Sequence, residues 1–294
     1  MRNVLQELVE LLRLEQIEQN IFRGQSQDLG WGTVFGGQVL GQSLSAAEQT
    51  VPADHSVHSL HGYFLRLGAV TQPIVYDVDR IRDGKSFSTR RVVAIQKGRA
   101  IFNMSASFQR NEEGFEHHSE MPETIGPDEL LSERELLQRR ADAIPKALRK
   151  RATCERPIEI RPIDPVNPLQ PVTRPPSQQV WFKAIDRLPD HRSIHQFLLA
   201  YASDFHLLTT AMQPHGVSWL TPGMQVASVD HAMWFHRPFR MDEWLLYTVE
   251  SPSASNARGL VRGQIFSRQG VLVASTAQEG LMRQWPDKPG GAAT

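Results

Sequence analysis

Residues 97–108 read KGRAIFNMSASF and residues 269–280 read QGVLVASTAQEG. Laid side by side, their turn glycines Gly98 and Gly270 coincide, and each glycine opens a strand-like run. The ends of earlier strands also coincide, FLR at 64–66 with FHR at 235–237. Around both hairpins the same order recurs. A Gly- and Ala-rich helical pattern at 36–49 precedes strand-like segments at 57–66, 74–81, 86–96 and 100–108. A second helical pattern at 194–212 precedes strand-like segments at 224–235, 245–251, 257–268 and 271–282. Duplication of one unit is the most economical account of this repetition. One long helix followed by four strands predicts an α+β fold, an antiparallel sheet with the helix packed on one face, built twice.

Between the two units the sequence changes character. Ten of the 19 prolines fall between Pro122 and Pro176. Proline lacks the N–H and fixes φ, so this stretch reads as a connection rather than continuous helix or central strand. One helical piece is expected inside it, at 132–149, with Leu136, Leu137, Ala141, Ile144 and Leu148 as its apolar side and a bend or break near Pro145. At the start of the chain, Val4, Leu5, Leu8, Leu11, Leu12 and Ile17 form a stripe near helical period, as in an amphipathic helix docked on the body. Glu7, Glu10, Glu15 and Glu18 interrupt any signal-like apolar region. No apolar run reaches the roughly 18 residues a spanning helix needs.

The 294 residues are 40% hydrophobic and 22% charged, an ordinary globular balance that suits two domains or one large one. A single cysteine, Cys154, allows no intramolecular disulfide and fits a reducing compartment, the cytoplasm. Lys plus Arg and Asp plus Glu both number 32, which weighs against a nucleic-acid binder. With no net charge to steer a ligand, any anion site must be built locally.

Several familiar chemistries are missing. The run from Gly30 fits no dinucleotide fingerprint, and no phosphate-binding GxxxxGK[ST] exists. Gly41-Gln42-Ser43-Leu44-Ser45 fails GxSxG at its last position and lies in a helical pattern, so Ser43 is a poor nucleophile. His55, His58 and His61 alternate across a strand, as do His231 and His236, and no zinc-binding motif occurs. Neither a metal nor another cofactor is expected.

Asp204 is the unusual residue. It lies three residues after Tyr201 and four before Leu208, on the apolar stripe of the second helical pattern. An unpaired buried carboxylate costs several kcal/mol, so it must be neutral, hydrogen-bonded or solvated. Burial raises its pKa toward the range of a general base. A carboxylate that merely caps a strand, or pairs with His206 or an arginine, fits the same pattern. Ser228, on the first strand after the helix, and Gln278, sharing a face with Leu272, Ala274 and Thr276, are the polar groups able to meet it. Together the three suit a water held for attack on an activated acyl group, with the amide free to donate to an oxyanion. Singly, Ser228 and Gln278 also read as ordinary strand polars.

The chain resembles the acyl-CoA thioesterase II (TesB-type) family over nearly its full length. The blocks that carry the resemblance include RGQSQDLGWGTVFGGQVLGQSL (23–44), VHSLHGYFLR (57–66), YDVDRIRDGKSFSTRRVVAIQ (76–96), YASD (201–204), DHAMWFHRPF (230–239) and SPSASNARG (251–259). The resemblance implies a double hotdog, two tandem repeats each a long helix wrapped by an antiparallel β-sheet. The expected organisation is an N-terminal hotdog repeat with its leading helix at 1–115, a Pro-rich linker at 116–178, and a C-terminal repeat carrying the catalytic residues at 179–294. It implies hydrolysis of medium- to long-chain fatty acyl-CoA to fatty acid and CoA, and assembly as a homo-oligomer through the sheets. The family's catalytic Asp, Thr or Ser, and Gln fall on Asp204 in YASD, Ser228 in ASVDH and Gln278 in STAQEG. The first repeat does not keep the set, because Ala106 aligns with Gln278. Gly36-Gly37 is expected to admit close approach of a ligand to a helix N-terminus. Arg82, Lys85, Arg258 and Arg262 lie near predicted turns and strands and are the candidates for the CoA phosphates, though solvated surface charge describes them better. A hotdog hydratase is disfavoured because DPVNPL (164–169) lacks the required His. A non-catalytic acyl-CoA-binding module is disfavoured by retention of all three polar partners.

Overall fold

The computed structural model describes residues 3–144, 146, 149 and 152–285. The first half contains α1 (Val4–Leu12), β1 (Glu15–Glu18), β2 (Ile21–Gly24), α2 (Gly36–Glu48), β3 (His55–Phe64), β4 (Ile74–Asp83), β5 (Phe87–Gln96) and β6 (Arg99–Arg110). After α3 (Glu133–Arg139) come β7 (Ile158–Pro162), β8 (Ser177–Ala184), α4 (Arg192–Ser203), α5 (Leu207–Met212), β9 (Met224–Ser228), β10 (Asp230–Phe235), β11 (Leu245–Ser255), β12 (Arg258–Ser267) and β13 (Leu272–Gln284). No helix among the described residues is long and apolar enough to cross a membrane.

The strands form one continuous antiparallel sheet in the order β1-β2-β4-β5-β6-β3-β10-β13-β12-β11-β8-β7, with β9 also paired to β13. Read outward from the β3–β10 junction, the two sides repeat: β6 answers β13, β5 answers β12, β4 answers β11 and β2 answers β8. The junction is a ladder in which Leu60 faces Met233 and Gly62 faces His231. Both repeat hairpins turn through glycine in the left-handed region, Gly98 at φ 69° and Gly270 at φ 87°. Glycine has no Cβ to oppose that conformation, which explains why both turns share it.

Helix α2 is buried from Gly37 to Ala47 without a gap, because it lies between the sheet and α4. A helix enclosed on all sides has no use for a polar face, and small residues let the neighbours come close. Both halves contribute to one large core, from Leu40, Leu44, Phe102 and Phe108 to Leu198, Leu199, Val261 and Ile265, and a smaller separate cluster of Trp181, Trp244, Leu246, Phe266 and Leu272 lies in the second half. Helix α1 starts with a reciprocal Asn3–Gln6 capping box and buries Leu5, Leu8 and Leu12 against α2 and α4, the expected docking.

Four expectations need correction. The first helix ends at Leu12, so Ile17 lies on β1 and is exposed. The piece expected at 132–149 with a break near Pro145 is interrupted earlier: its first helix ends at Arg139, a 3-10 turn follows at Ala141–Ala143, and Lys146 and Arg149 are again helical, while Pro145 and Leu148 lie outside the described residues. The Pro-rich stretch also supplies β7, which takes the outer edge of the sheet, where its terminal Pro162 is tolerated. Finally, the helical pattern at 194–212 is not one helix. It breaks at Asp204–His206, where His206 adopts φ 68°, and resumes as α5.

Candidate active site

The break in the second helix sets the position of Asp204. It is the C-cap of α4 rather than a mid-helix residue, and its carboxylate lies over the start of α2. A Cβ on Gly36 would come within 2.6 Å of Asp204 Oδ2, and one on Gly37 within 2.2 Å of the Tyr201 carbonyl oxygen. The glycine pair therefore makes room for both the carboxylate and the close packing of α2 on α4. The backbone N–H of Gly37 hydrogen-bonds to Asp204. At this glycine pair it is a carboxylate of the protein itself, not a free helix terminus, that faces the site.

Ser228 ends β9, with Gly280 of β13 opposite it in register. The Val229 N–H bonds to the Glu279 carbonyl as the chain passes into β10. Gln278 lies on the buried face of β13 with Ala274 and Thr276. These elements bring all three expected residues together. The Gln278 Nε2 donates to Ser228 Oγ at 2.9 Å, and Ser228 Oγ donates to Asp204 Oδ1 at 3.5 Å, a long contact.

Asp204 keeps a partly accessible surface, although protein atoms crowd it. That residual access is what a group meeting water and substrate requires. Desolvation by burial pushes its pKa from 3.8 up to about 7, against the opposing pull of hydrogen bonds from Gln278, Gly37 and Ser228. A carboxylate with that pKa is half ionised near neutral pH and can take a proton from water.

Aromatic side chains wall the site on one side. Phe35, immediately before α2, stacks on Phe205 with centroids 4.6 Å apart, and Trp31 meets Phe35 edge-on at 5.6 Å. Phe205 is the residue after Asp204, so this apolar surface begins beside the carboxylate.

One contributor escaped the sequence reading. It is His231, buried in β10, whose Nδ1 lies 2.6 Å from Gln278 Oε1 and whose Nε2 lies 3.0 Å from Ser203 Oγ. Extending the hairpin alignment would have flagged it, because the pair facing each other at Leu60 and Ala106 in the first half becomes His231 and Gln278 in the second. The remaining candidates lie elsewhere. Ser43 is sealed inside α2, its hydroxyl without a hydrogen-bond partner. Arg258 and Arg262 are ion-paired with Glu279 and Glu250 on the face of β12, while Arg82 and Lys85 are exposed near the β4–β5 turn.

Comparison with known proteins places the chain in a family. A family model described as acyl-CoA thioesterase matches residues 147–281, and one described as acyl-CoA thioesterase N-terminal domain matches residues 26–109. The chain is 47% identical over 283 residues to Acyl-CoA thioesterase 2 of Haemophilus influenzae, covering 96% of this chain and 99% of that protein. The crystal structure of an acyl-CoA thioesterase II, TesB2, from Mycobacterium marinum superposes with a TM-score of 0.77 at 44% identity, over 95% of this chain and 99% of that one. A conserved protein of unknown function with a hot dog fold from Alicyclobacillus acidocaldarius superposes with a TM-score of 0.75 at 18% identity, over 95% and 98%, a likeness of fold.

Proposed function

The chain belongs to the acyl-CoA thioesterase family and is an acyl-CoA thioester hydrolase of double hotdog fold, and we propose that it cleaves medium- to long-chain fatty acyl-CoA by direct attack of a water that Asp204, Ser228 and Gln278 hold and activate. The observation that carries the mechanism is the run of hydrogen bonds ending on a carboxylate whose pKa is near 7. Ionised Asp204 accepts one proton as the water oxygen bonds to the thioester carbon. Ser228 and Gln278 orient that water. The second N–H of the Gln278 amide, which faces the Asp204 carboxylate, turns to the oxyanion that develops on the carbonyl oxygen as the carboxylate takes its proton. Collapse of the tetrahedral intermediate breaks the C–S bond, and the CoA sulfur leaves with the proton held by Asp204. The products are a fatty acid and CoA thiol.

The chain-length reading is supported by the Trp31, Phe35 and Phe205 wall beside the carboxylate, a surface suited to an alkyl tail. Each buried methylene contributes about 0.8 kcal/mol, so a longer tail gains affinity as long as the apolar surface continues. We assign 1–115 and 179–294 as the two repeats, with 116–178 as the linker between them. The exposed Cys154 and the want of any disulfide pair fit the cytoplasm. Assembly is as a homo-oligomer, a dimer or tetramer, which light scattering measures directly.

Thiol release across acyl-CoA chain lengths tests the substrate class; the expected result is a kcat/KM that rises from short to medium and long chains. A pre-steady-state burst of CoA, or trapping of an acyl group on the protein, contradicts direct attack by water.

A further inference from the structure

Four hydrogen bonds close a loop around the site. Ser203 Oγ lies 3.0 Å from His231 Nε2, His231 Nδ1 lies 2.6 Å from Gln278 Oε1, Gln278 Nε2 lies 2.9 Å from Ser228 Oγ, and Ser228 Oγ lies 3.5 Å from Asp204 Oδ1. The loop begins and ends on neighbouring residues, Ser203 and Asp204, at the end of α4. The directions follow from the orientation of the Gln278 amide, whose Nε2 donates to Ser228 and whose oxygen faces the ring. An amide oxygen can only accept, so in this arrangement the proton on His231 is at Nδ1. His231 Nε2 is then an acceptor, and the single proton of the Ser203 hydroxyl goes to it, 3.0 Å away, in place of the Ala200 carbonyl 2.9 Å away on the other side. Desolvation pushes the His231 pKa down to about 4, so the ring holds a single proton at neutral pH.

We propose that His231 is a positioning residue for catalysis, donating from Nδ1 to Gln278 Oε1 and so fixing which end of the Gln278 amide faces Ser228 and the thioester. The inference rests on the role given to Gln278 above. The two ends of an amide have nearly the same shape, so packing alone distinguishes them poorly. If the amide were reversed, its oxygen would face Ser228 and the developing oxyanion, turning a stabilising dipole into a repulsive one. The imidazole is the group on the far side of the amide that selects one orientation. It also ties the strand carrying Gln278 to the helix end carrying Asp204.

The other half of the molecule argues against a purely architectural role. At the corresponding strand positions it has Leu60 opposite Ala106, both buried and both apolar. The same sheet is thus built without a histidine where no glutamine needs orienting.

The test is a double-mutant cycle on the full chain, His231→Leu and Gln278→Ala, singly and together, read as kcat and KM for a long-chain acyl-CoA. The expected result is a fall in kcat of about tenfold or more for His231→Leu, with KM within about threefold, and less than about a twofold further fall when the change is added to Gln278→Ala. His231→Asn, whose amide N–H takes the place of Nδ1–H, recovers most of the loss, whereas His231→Gln, which reaches toward the Nε2 position, does not. Should the leucine variant fail to fold, the Asn against Gln comparison decides alone, and equal turnover by the two overturns the proposal. Equal losses in both Gln278 backgrounds, or unchanged kcat in His231→Leu, also overturn it. Wild-type turnover by Gln278→Ala overturns the role of Gln278 and this inference with it; collapse of Gln278→Ala beside an active His231→Leu overturns this inference alone.

Discussion

Replacing the Asp204 carboxyl by an amide removes a charge that folding forces into a crowded site. The group's pKa rises from 3.8 unfolded to about 7 folded. Between those values the folded chain binds the extra proton, so stability falls as pH climbs from about 4 to 7 and stays low above it. The penalty at pH 8 is on the order of a few kcal/mol, reduced by the partial solvation of the carboxylate. Asp204→Asn should therefore melt at a higher temperature than the parent at pH 8, with the advantage shrinking toward pH 5, as thermal unfolding across that range will show. Ser228 is expected to act through its hydroxyl. Ser228→Ala should lower kcat by about tenfold or more, while Ser228→Thr, which keeps the oxygen, should stay within a few-fold of the parent in a thiol-release assay. That Asp204 and Gln278 face inward was legible in the sequence, because a carboxylate on an apolar stripe and a glutamine on an inward strand face are both costly to bury without partners; Ser228 read alone as an ordinary strand polar, and the family resemblance singled it out. His231 was not legible in this way. A lone histidine in a strand gives no sign of its purpose until the residue across from it is known.

Helix breaks and short edge strands mark the limit of the reading at the scale of elements. No glycine or proline announces the interruption after Ser203; it falls at Asp204–His206, where His206 takes φ 68°. Apolar periodicity runs on through α5, so the pattern predicts one helix where there are two. β1 reads EQIE and is exposed at all four positions, leaving no alternation to detect. β7 lies among prolines that argue against a strand, and only an edge position accommodates it. The long strands and α2 were legible because two-residue and small-residue patterns persist along them. The start of α2 carries its own prediction. Gly36→Ala places a methyl where Asp204 Oδ2 and the Phe64 ring already stand, 2.6 and 3.0 Å from it. It should cost about 1–3 kcal/mol by overpacking and lower turnover by displacing the carboxylate, measured by denaturation and thiol release on one preparation.

For the molecule as a whole, the repetition predicts two units, and the structure joins them into one sheet across β3 and β10 with a large core shared by both. The alignment of hairpins reveals the copy but not the junction, because pairing between two distant strands leaves no local trace. A shared core has a thermodynamic consequence. Neither half can lose its packing and leave the other intact, so far-ultraviolet dichroism and tryptophan fluorescence should report one coincident unfolding transition; two separated transitions would mean independent halves. Only the second half carries the Asp204, Ser228 and Gln278 group, and α2 of the first half supplies the glycine pair against which Asp204 rests. The proposed active site thus belongs to the joined pair rather than to either copy.

The assignment of Asp204 as the base that activates water is tested most directly by CoA thiol release from a long-chain acyl-CoA with the Asp204→Asn variant. The carboxamide keeps the size of the side chain and cannot accept the proton. With dichroism and melting confirming an intact fold, kcat/KM should fall by about a hundredfold or more, the scale of a lost general base. Turnover close to that of the unmodified enzyme would contradict the mechanism.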